Sequence, residues 1–201
     1  MISDEDLAAR IEAKRPLREP DDARLTARRL ALCNIPRKFW KARLSWFDRY
    51  PKVKEGIVEY MENLEGYREQ GIGLLIIGPP QLGKTSGTVV IGKEIIRRGC
   101  WPHFEAEWDL AEIEMSDDDD RRRRLRHAAF LILDDLGAMA GKEVAKAMTE
   151  RILRCRYNAG LPTIVSTNLT VKALSAAYGP TVLELLKTTT KTVVMEVGRN
   201  G

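Results

Sequence analysis

The stretch Gly78-Pro79-Pro80-Gln81-Leu82-Gly83-Lys84-Thr85-Ser86 follows the apolar run Gly73–Ile77 and leads into a helix that we predict over Thr85–Arg98. Its first eight residues fit the pattern GxxxxGK[ST], in which a turn joins a strand to the N-terminus of a helix. Backbone N–H groups of such a turn and the positive end of the helix face a bound phosphate. The alternative is a plain Gly/Pro turn before a helix cap. We predict a nucleotide-binding site formed by residues 78–86.

Three residues of this stretch have separate expected roles. Gly83 allows the main chain to approach the phosphates, Lys84 reaches the terminal phosphates, and Thr85 offers its hydroxyl to Mg²⁺. ATP and Mg²⁺ are therefore the expected cofactors, and Lys84 is also a candidate catalytic residue.

Acidic and amide side chains follow two further predicted strands. The apolar run Ala128–Leu133 ends in Asp134 and Asp135. We expect Asp134 to hold Mg²⁺, through water or Thr85, and Asp135 to orient the water that attacks the γ-phosphate. Asn168 follows the next strand and could contact the γ-phosphate or this water. The alternatives are an Asp-Asp-Leu-Gly turn and a plain turn residue before a helix.

Strand and helix patterns alternate along most of the chain, which is typical of an α/β fold with three layers around a parallel sheet. Each predicted strand is short and apolar or rich in β-branched residues, as buried parallel strands are. The five predicted strands are Gly73–Ile77, Trp101–Glu107, Ala129–Asp134, Pro162–Thr167 and Thr192–Val197. The predicted helices that follow the phosphate loop are Thr85–Arg98, Lys142–Tyr157, Val171–Tyr178 and Thr181–Lys187.

The N-terminal segment differs from the rest, because Pro16 and Pro20 interrupt any long helix. Within residues 1–33 we predict helices from Ser3 to about Lys14 and from Asp21 to Cys33, forming an arm that docks on a partner or packs on its own domain. Residues 34–201 would form the ATPase domain. The last predicted strand lies next to Gly201, so no C-terminal lid is expected.

Composition excludes several protein classes. The chain has 201 residues, a formal net charge of +4 and 44% hydrophobic residues, as globular proteins do. Its longest apolar runs are far shorter than the roughly 20 residues of a membrane helix, and its first residues are acidic where a signal peptide is basic. Three widely spaced cysteines indicate neither a disulfide framework nor a zinc site. We expect a cytoplasmic protein with no membrane partner.

Residues 34–170 resemble the AAA+ helicase-loader group of the DnaC/DnaI type, together with the related IstB transposition helpers. Five short sequence motifs carry this resemblance: Asn34-Ile35-Pro36, the phosphate loop, Trp108-Asp109-Leu110, Leu131–Gly137 and Arg156–Leu169. This resemblance implies an AAA+ ATPase that binds single-stranded DNA and loads or remodels a replicative helicase hexamer. It also implies an N-terminal arm that contacts the helicase, and assembly into a homo-oligomer. The trimmed size is compatible with a phage-encoded loader acting in the cytoplasm of a bacterial host.

The chain departs from the family pattern at two places. Gln81 and Leu82 replace the small residues that the family often has in the loop. Thr181 and Leu185 stand where the family commonly has arginines, one of which reaches the γ-phosphate of a neighbouring subunit. Hydrolysis is then expected to be slow or partner-stimulated, unless Arg154, Arg156 or a partner supplies the positive charge.

Two other functions remain open from the sequence. One is an IstB-like transposition helper on duplex DNA, and the other is a weakly catalytic, nucleotide-dependent switch or inhibitor of a helicase. Candidate DNA contacts combine charge and aromatic side chains as single-strand grooves do, and they are Arg121–Arg124 with Arg126, Arg37-Lys38 with Trp40, and Lys41-Ala42-Arg43 with Trp46. The alternatives are that these tryptophans belong to the core and that the charged run is a solvated surface.

Overall fold

A five-stranded parallel sheet forms the middle layer of the protein in the computed structural model, which describes residues 17–196. The strands are β1 (Gly73–Ile77), β2 (Pro102–Ala106), β3 (Phe130–Leu136), β4 (Thr163–Thr167) and β5 (Thr190–Val194). Their order across the sheet is β2-β3-β4-β1-β5, and each neighbouring pair is parallel. The predicted α/β fold is confirmed. Each strand lies within a few residues of its predicted position.

Helices cover both faces of this sheet. They are α1 (Ala27–Leu32), α2 (Pro51–Glu62), α3 (Leu64–Gln70), α4 (Lys84–Arg97), α5 (Leu110–Met115), α6 (Asp119–His127), α7 (Glu143–Ala159) and α8 (Val171–Thr189). Short 3₁₀ turns occupy Asp22–Arg24, Arg37–Phe39, Leu44–Phe47 and Glu107–Asp109. Helix α8 joins the two helices predicted on either side of Gly179, whose φ of 83° and ψ of 173° leave a kink before Pro180.

Alternation along β1 divides the core into two layers, because successive side chains of a strand point to opposite faces. Leu74 and Ile76 pack in a cluster that includes Ile91 of α4. Leu75 and Ile77 pack in a second cluster that includes Ile152 of α7 and residues of α8. All five strand residues of β1 are buried. This double burial explains why the strand is a continuous apolar run in the sequence.

The described part of the N-terminal segment packs on the α/β core of the protein. The N–H of Arg18 donates to the Arg98 carbonyl over 2.8 Å, and Leu30 and Cys33 lie in the same core cluster as α4. The helix predicted over Asp21–Cys33 is broken, because Thr26 caps a new helix by accepting from the Arg29 N–H over 3.2 Å. The helix predicted over Ser3–Lys14 lies outside the described residues.

No helix within residues 17–196 is both long enough and apolar enough to cross a lipid bilayer.

Candidate functional site

The phosphate loop connects β1 to α4 and is closely packed at both ends. At Gly78, a Cβ atom would lie 2.6 Å from the Met195 carbonyl oxygen, so the close approach of these two segments requires glycine. Gly83 adopts a φ of 89° and is the residue before α4, where it has no side chain that could cap the helix. The first N–H groups of α4 are therefore free to bind an anion. Gln81 has a φ of 66°, a left-handed conformation that is unfavourable for a non-glycine residue.

Lys84 lies inside this loop. Its Nζ donates to the carbonyl oxygen of Pro79 over 2.6 Å, and the residue is only 5% exposed. Burial lowers the pKa of the ammonium, and the negative charges of Asp135 and Asp134 oppose that shift. A cation held in a loop of backbone N–H groups matches the charge of a phosphate chain.

Thr85 and Asp134 join the phosphate loop to the sheet. Thr85 Oγ1 donates to Asp134 Oδ2 over 2.9 Å, linking the first turn of α4 to β3. Burial raises the pKa of Asp134, while the hydrogen bonds from Ser166 and Thr85 act in the opposite direction. A hydroxyl and a carboxylate are oxygen ligands of the kind that Mg²⁺ prefers. The two predicted metal residues are thus in contact with each other and fit that ion chemically.

A bulge in β3 separates the two acidic side chains. Leu133 pairs with Val165 and Leu136 with Thr167, so Asp134 and Asp135 together face the single residue Ser166. Asp135 accommodates the extra residue of the bulge by adopting a φ of 58°. This value lies in the left-handed region, which aspartate tolerates better than most residues do. This local conformation breaks the alternation of the strand and sets the direction of the Asp135 side chain.

Ser166 is a site residue to which the sequence assigned no role. Its Oγ donates to Asp134 Oδ1 over 2.5 Å and accepts from the Asp135 N–H over 3.0 Å, and the residue is fully buried. A single hydroxyl therefore positions both acids. The available signal was a serine that follows the apolar pair Ile164 and Val165 within a buried strand.

Asn168 lies at the same edge of the sheet, as its position after β4 predicted. Its Nδ2 donates to Asp135 Oδ1 over 3.0 Å. The structure therefore brings together Lys84, Thr85, Asp134, Asp135 and Asn168 where the carboxyl ends of β1, β3 and β4 meet, the edge at which open α/β sheets bind ligands.

Glu107 supports the loop that follows the acids and was also not found from the sequence. Its Oε2 accepts from the N–H groups of Gly137 and Met139, each over 2.9 Å. Its Oε1 accepts from the hydroxyls of Thr149 and Tyr178. The carboxylate is buried and ties the loop after β3 to α7 and α8.

Arg156 lies away from this site, which corrects its assignment as a catalytic residue. Its guanidinium is fully buried and donates to Thr163 Oγ1 over 3.0 Å, to the Pro162 carbonyl over 2.7 Å and to the Leu125 carbonyl over 3.3 Å. Pro162 and Thr163 are at the amino end of β4, the opposite edge of the sheet from Asn168. Arg156 thus fixes the start of a strand and cannot reach a phosphate at the other end.

The family model described as "IstB-like ATP binding protein" matches residues 22–188. The chain belongs to the IstB-like family of ATP-binding proteins. The matched range includes the whole phosphate loop and the sheet strands from β1 to β4. Among curated proteins, no sequence relative of this IstB-like chain is found.

Solved structures share the fold of this IstB-like protein. The DnaC helicase loader aligns with a TM-score of 0.70 and 23% identity over 80% of this chain and 100% of the loader chain. DnaI aligns with a TM-score of 0.68 and 22% identity over 81% and 95%. DnaA from Aquifex aeolicus, in a structure bound to AMPPCP, aligns with a TM-score of 0.60 and 20% identity over 71% and 45%. These matches show that the chain has the same fold as DnaC, DnaI and DnaA.

Proposed function

We propose that this ATP-binding protein hydrolyses ATP with Mg²⁺ and uses the cycle to load or remodel a replicative helicase hexamer on single-stranded DNA. The observation that carries the catalytic part is the 2.9 Å hydrogen bond between Thr85 and Asp134, which joins the phosphate loop to the acidic strand end. The DNA-replication part rests on the fold that the chain shares with DnaC and DnaI.

In this proposal residues 78–86 bind the triphosphate through their backbone N–H groups, and Lys84 leaves the Pro79 carbonyl to bind the terminal phosphates. Thr85 and Asp134, which contact each other, would hold Mg²⁺. The bound ion would neutralise charge that develops on the transferred phosphoryl group.

Asp135 accepts a proton from the attacking water in this scheme, and Asn168 positions the carboxylate. The amide of Asn168 holds Asp135 Oδ1, which leaves Oδ2 for the water. Ser166 is the positioning residue that keeps the two acids apart.

Slow or partner-stimulated turnover follows from the missing arginines. Thr181 and Leu185 both lie on α8, and neither can donate to a phosphate as a guanidinium does. Arg156 is buried at the opposite edge of the sheet. A guanidinium supplied by a partner accelerates phosphoryl transfer by about 10³ or more in related chemistry. We place this contribution on the helicase or on a neighbouring copy of the chain in the cytoplasm.

The proposal is tested by the ATPase rate of the full chain with and without single-stranded DNA and a DnaB-type helicase. Turnover that rises in the presence of both supports the loader function. Failure to bind either partner while hydrolysis persists would contradict it.

A second function is favoured by the family match itself, since that family is named for IstB. An IstB-like transposition helper would prefer duplex DNA, assemble on it and recruit a transposase. A third candidate, a nucleotide-dependent switch or helicase inhibitor, is motivated by Thr181 and Leu185. Binding of ATP without turnover, alone or with partners, would support the switch.

A further inference from the structure

A cavity of about 590 Å³ lies beside Asp134, the candidate Mg²⁺ ligand, near the carboxyl ends of β2 and β3. Its walls come from residues 34–40, from the carboxyl end of β2 through Asp109, from α6 and from Asp134. We call it the Trp108 pocket and define it by Arg37, Lys38, Trp40, Trp108, Arg121 and Asp134. Its size is in the range of sites that hold small organic ligands.

One wall of the Trp108 pocket is held rigid by a buried carboxylate. Glu105 is fully buried, and Arg121 donates to both of its oxygens through Nε and Nη2, each over 2.8 Å. Asn34 donates to Glu105 Oε1 over 3.0 Å and to the Phe104 carbonyl over 2.9 Å. Burial raises the pKa of Glu105, but His103 and Arg121 outweigh that effect and the net shift is downward. The carboxylate is thus held ionised and fixes both Arg121 and Asn34.

The wall formed by residues 35–40 is also anchored. The indole N–H of Trp40 donates to the Ile35 carbonyl over 2.8 Å, so the ring closes its own turn. Lys93 of α4 donates to the carbonyls of Trp40 and Ala42 over 3.0 and 2.8 Å. Hydrogen bonds therefore hold the residues before and after the 3₁₀ turn Arg37–Phe39 in place.

The chemistry inside the pocket combines aromatic rings with cations. Trp108 follows β2 and is 49% exposed. The Arg37 guanidinium lies 5.3 Å from the centre of the Trp40 ring, and Lys38 lies 4.8 Å from that of Phe39. Within residues 17–196, neither Arg37 nor Lys38 has a carboxylate at ion-pair distance. An exposed aromatic ring and cations without an ion-pair partner, which here line one cavity, are groups that bind single-stranded nucleic acid.

We propose that the Trp108 pocket binds nucleotides of single-stranded DNA, with one base stacked on Trp108 and the adjoining phosphates against Arg37 and Lys38. The pocket requires an unstacked base, which a duplex does not present. This inference rests on the DNA binding in the proposed function and assigns it to named residues.

The Trp108 pocket adjoins the nucleotide site. Lys38 and Asp134 line the same cavity, so a strand bound in the pocket would lie next to the candidate Mg²⁺ ligand.

The test uses the full chain with Mg²⁺ and AMPPCP, and the fluorescence anisotropy of a labelled oligothymidylate of about 20 nucleotides. We expect Trp108→Ala to raise the Kd about tenfold, since one stacked base is lost, and Trp108→Phe to retain most of the affinity. Trp101→Ala is the matched control, because Trp101 is 44% exposed but lies at the amino end of β2. We expect this control to change the Kd by less than about twofold.

Different results would overturn different parts of the account. If the wild type binds the oligonucleotide and Trp108→Ala binds as well as Trp101→Ala does, the pocket is not the DNA site and the proposed function stands. If the wild type binds no single strand, the DNA part of the proposed function fails with it. If Trp108→Ala changes only the self-association of the protein, measured by sedimentation, the pocket is a contact with a second copy. That result would also overturn the inference.

Discussion

Asn168 donates from Nδ2 to Asp135 Oδ1 over 3.0 Å, across the adjacent carboxyl ends of β4 and β3. The two residues are 33 positions apart, and their contact depends on the pairing of these strands. Asp135 meets Asn168 only because the bulge opposite Ser166 turns its backbone to a φ of 58°. A strand irregularity therefore sets the geometry of the proposed water-activating carboxylate.

Asn168→Ala is expected to lower ATP turnover by about tenfold to a hundredfold, because Asp135 loses the donor that orients it. Nucleotide affinity should be unchanged, since Asn168 contacts the carboxylate and not the phosphate loop. The measurement is kcat together with the Kd of a fluorescent ATP analogue. Asn158→Ala, an exposed asparagine on α7, is the control that should leave both values unaltered. Loss of nucleotide binding in Asn168→Ala would contradict the assigned role.

Ser166→Ala is expected to lower the free energy of unfolding by about 1–3 kcal/mol, because it leaves the Asp135 N–H without its acceptor and Asp134 Oδ1 without its donor. It should also raise the pKa of Asp134 further, since the Ser166 hydrogen bond is one of the effects that lower it. Urea unfolding measures the first effect. A pH optimum of the ATPase displaced to higher pH would show the second, and an unchanged profile would argue against this positioning role.

Asp134 should make the metal-free protein less stable as the pH rises. Its pKa in the folded state is raised above that of the unfolded chain, so the folded state binds more protons between the two values, and stability falls with pH across that window. Asp134→Asn removes this dependence. The Tm difference between variant and wild type should therefore increase from about pH 4 to about pH 8 in the absence of metal.

Mg²⁺ with AMPPCP provides the complementary readout for Asp134. It should raise the Tm of the wild type more at the higher pH, where the carboxylate is charged, and should stabilise Asp134→Asn much less. A Tm difference that does not vary with pH would contradict a raised pKa of the buried Asp134 carboxylate.

Arg156→Ala is expected to lower the free energy of unfolding by about 3 kcal/mol or more, because three acceptors around a buried guanidinium lose their donor. Arg154→Ala removes only an exposed pair with Glu150 and should cost about 0.5 kcal/mol or less. Thermal and urea unfolding compare the two. If Arg156→Ala is as stable as Arg154→Ala but has lost ATP turnover, Arg156 is again a catalytic candidate.

The local parts of the site could be predicted from the sequence, because each depends on a short run of residues. The residues Gly78–Thr85 alone predicted the phosphate loop. The apolar run before Asp134 predicted that this residue ends a buried strand. Gly179 and Pro180 likewise indicated the break in the last helical stretch. In each case neighbouring residues alone determine the local backbone conformation or the burial of a strand.

Contacts between distant segments could not be predicted. The bulge that pairs Asp134 and Asp135 with Ser166 depends on the register of β3 against β4, which no local pattern fixes. Glu107 is buried by contacts with α7 and α8, which are distant from it in the sequence. Arg156 was misassigned because burial of a guanidinium at the amino end of β4 depends on how α7 packs. Charge alone does not distinguish a structural arginine from a catalytic one.

The most direct test of the proposed catalysis is the steady-state ATPase rate of the wild type, Lys84→Ala and Asp135→Asn, with Mg²⁺, single-stranded DNA and a DnaB-type helicase present. We predict measurable turnover by the wild type, loss of nucleotide binding in Lys84→Ala, and retained binding with turnover reduced by about 10² or more in Asp135→Asn. Wild-type turnover that is absent, or that persists unchanged in Asp135→Asn, would contradict the account.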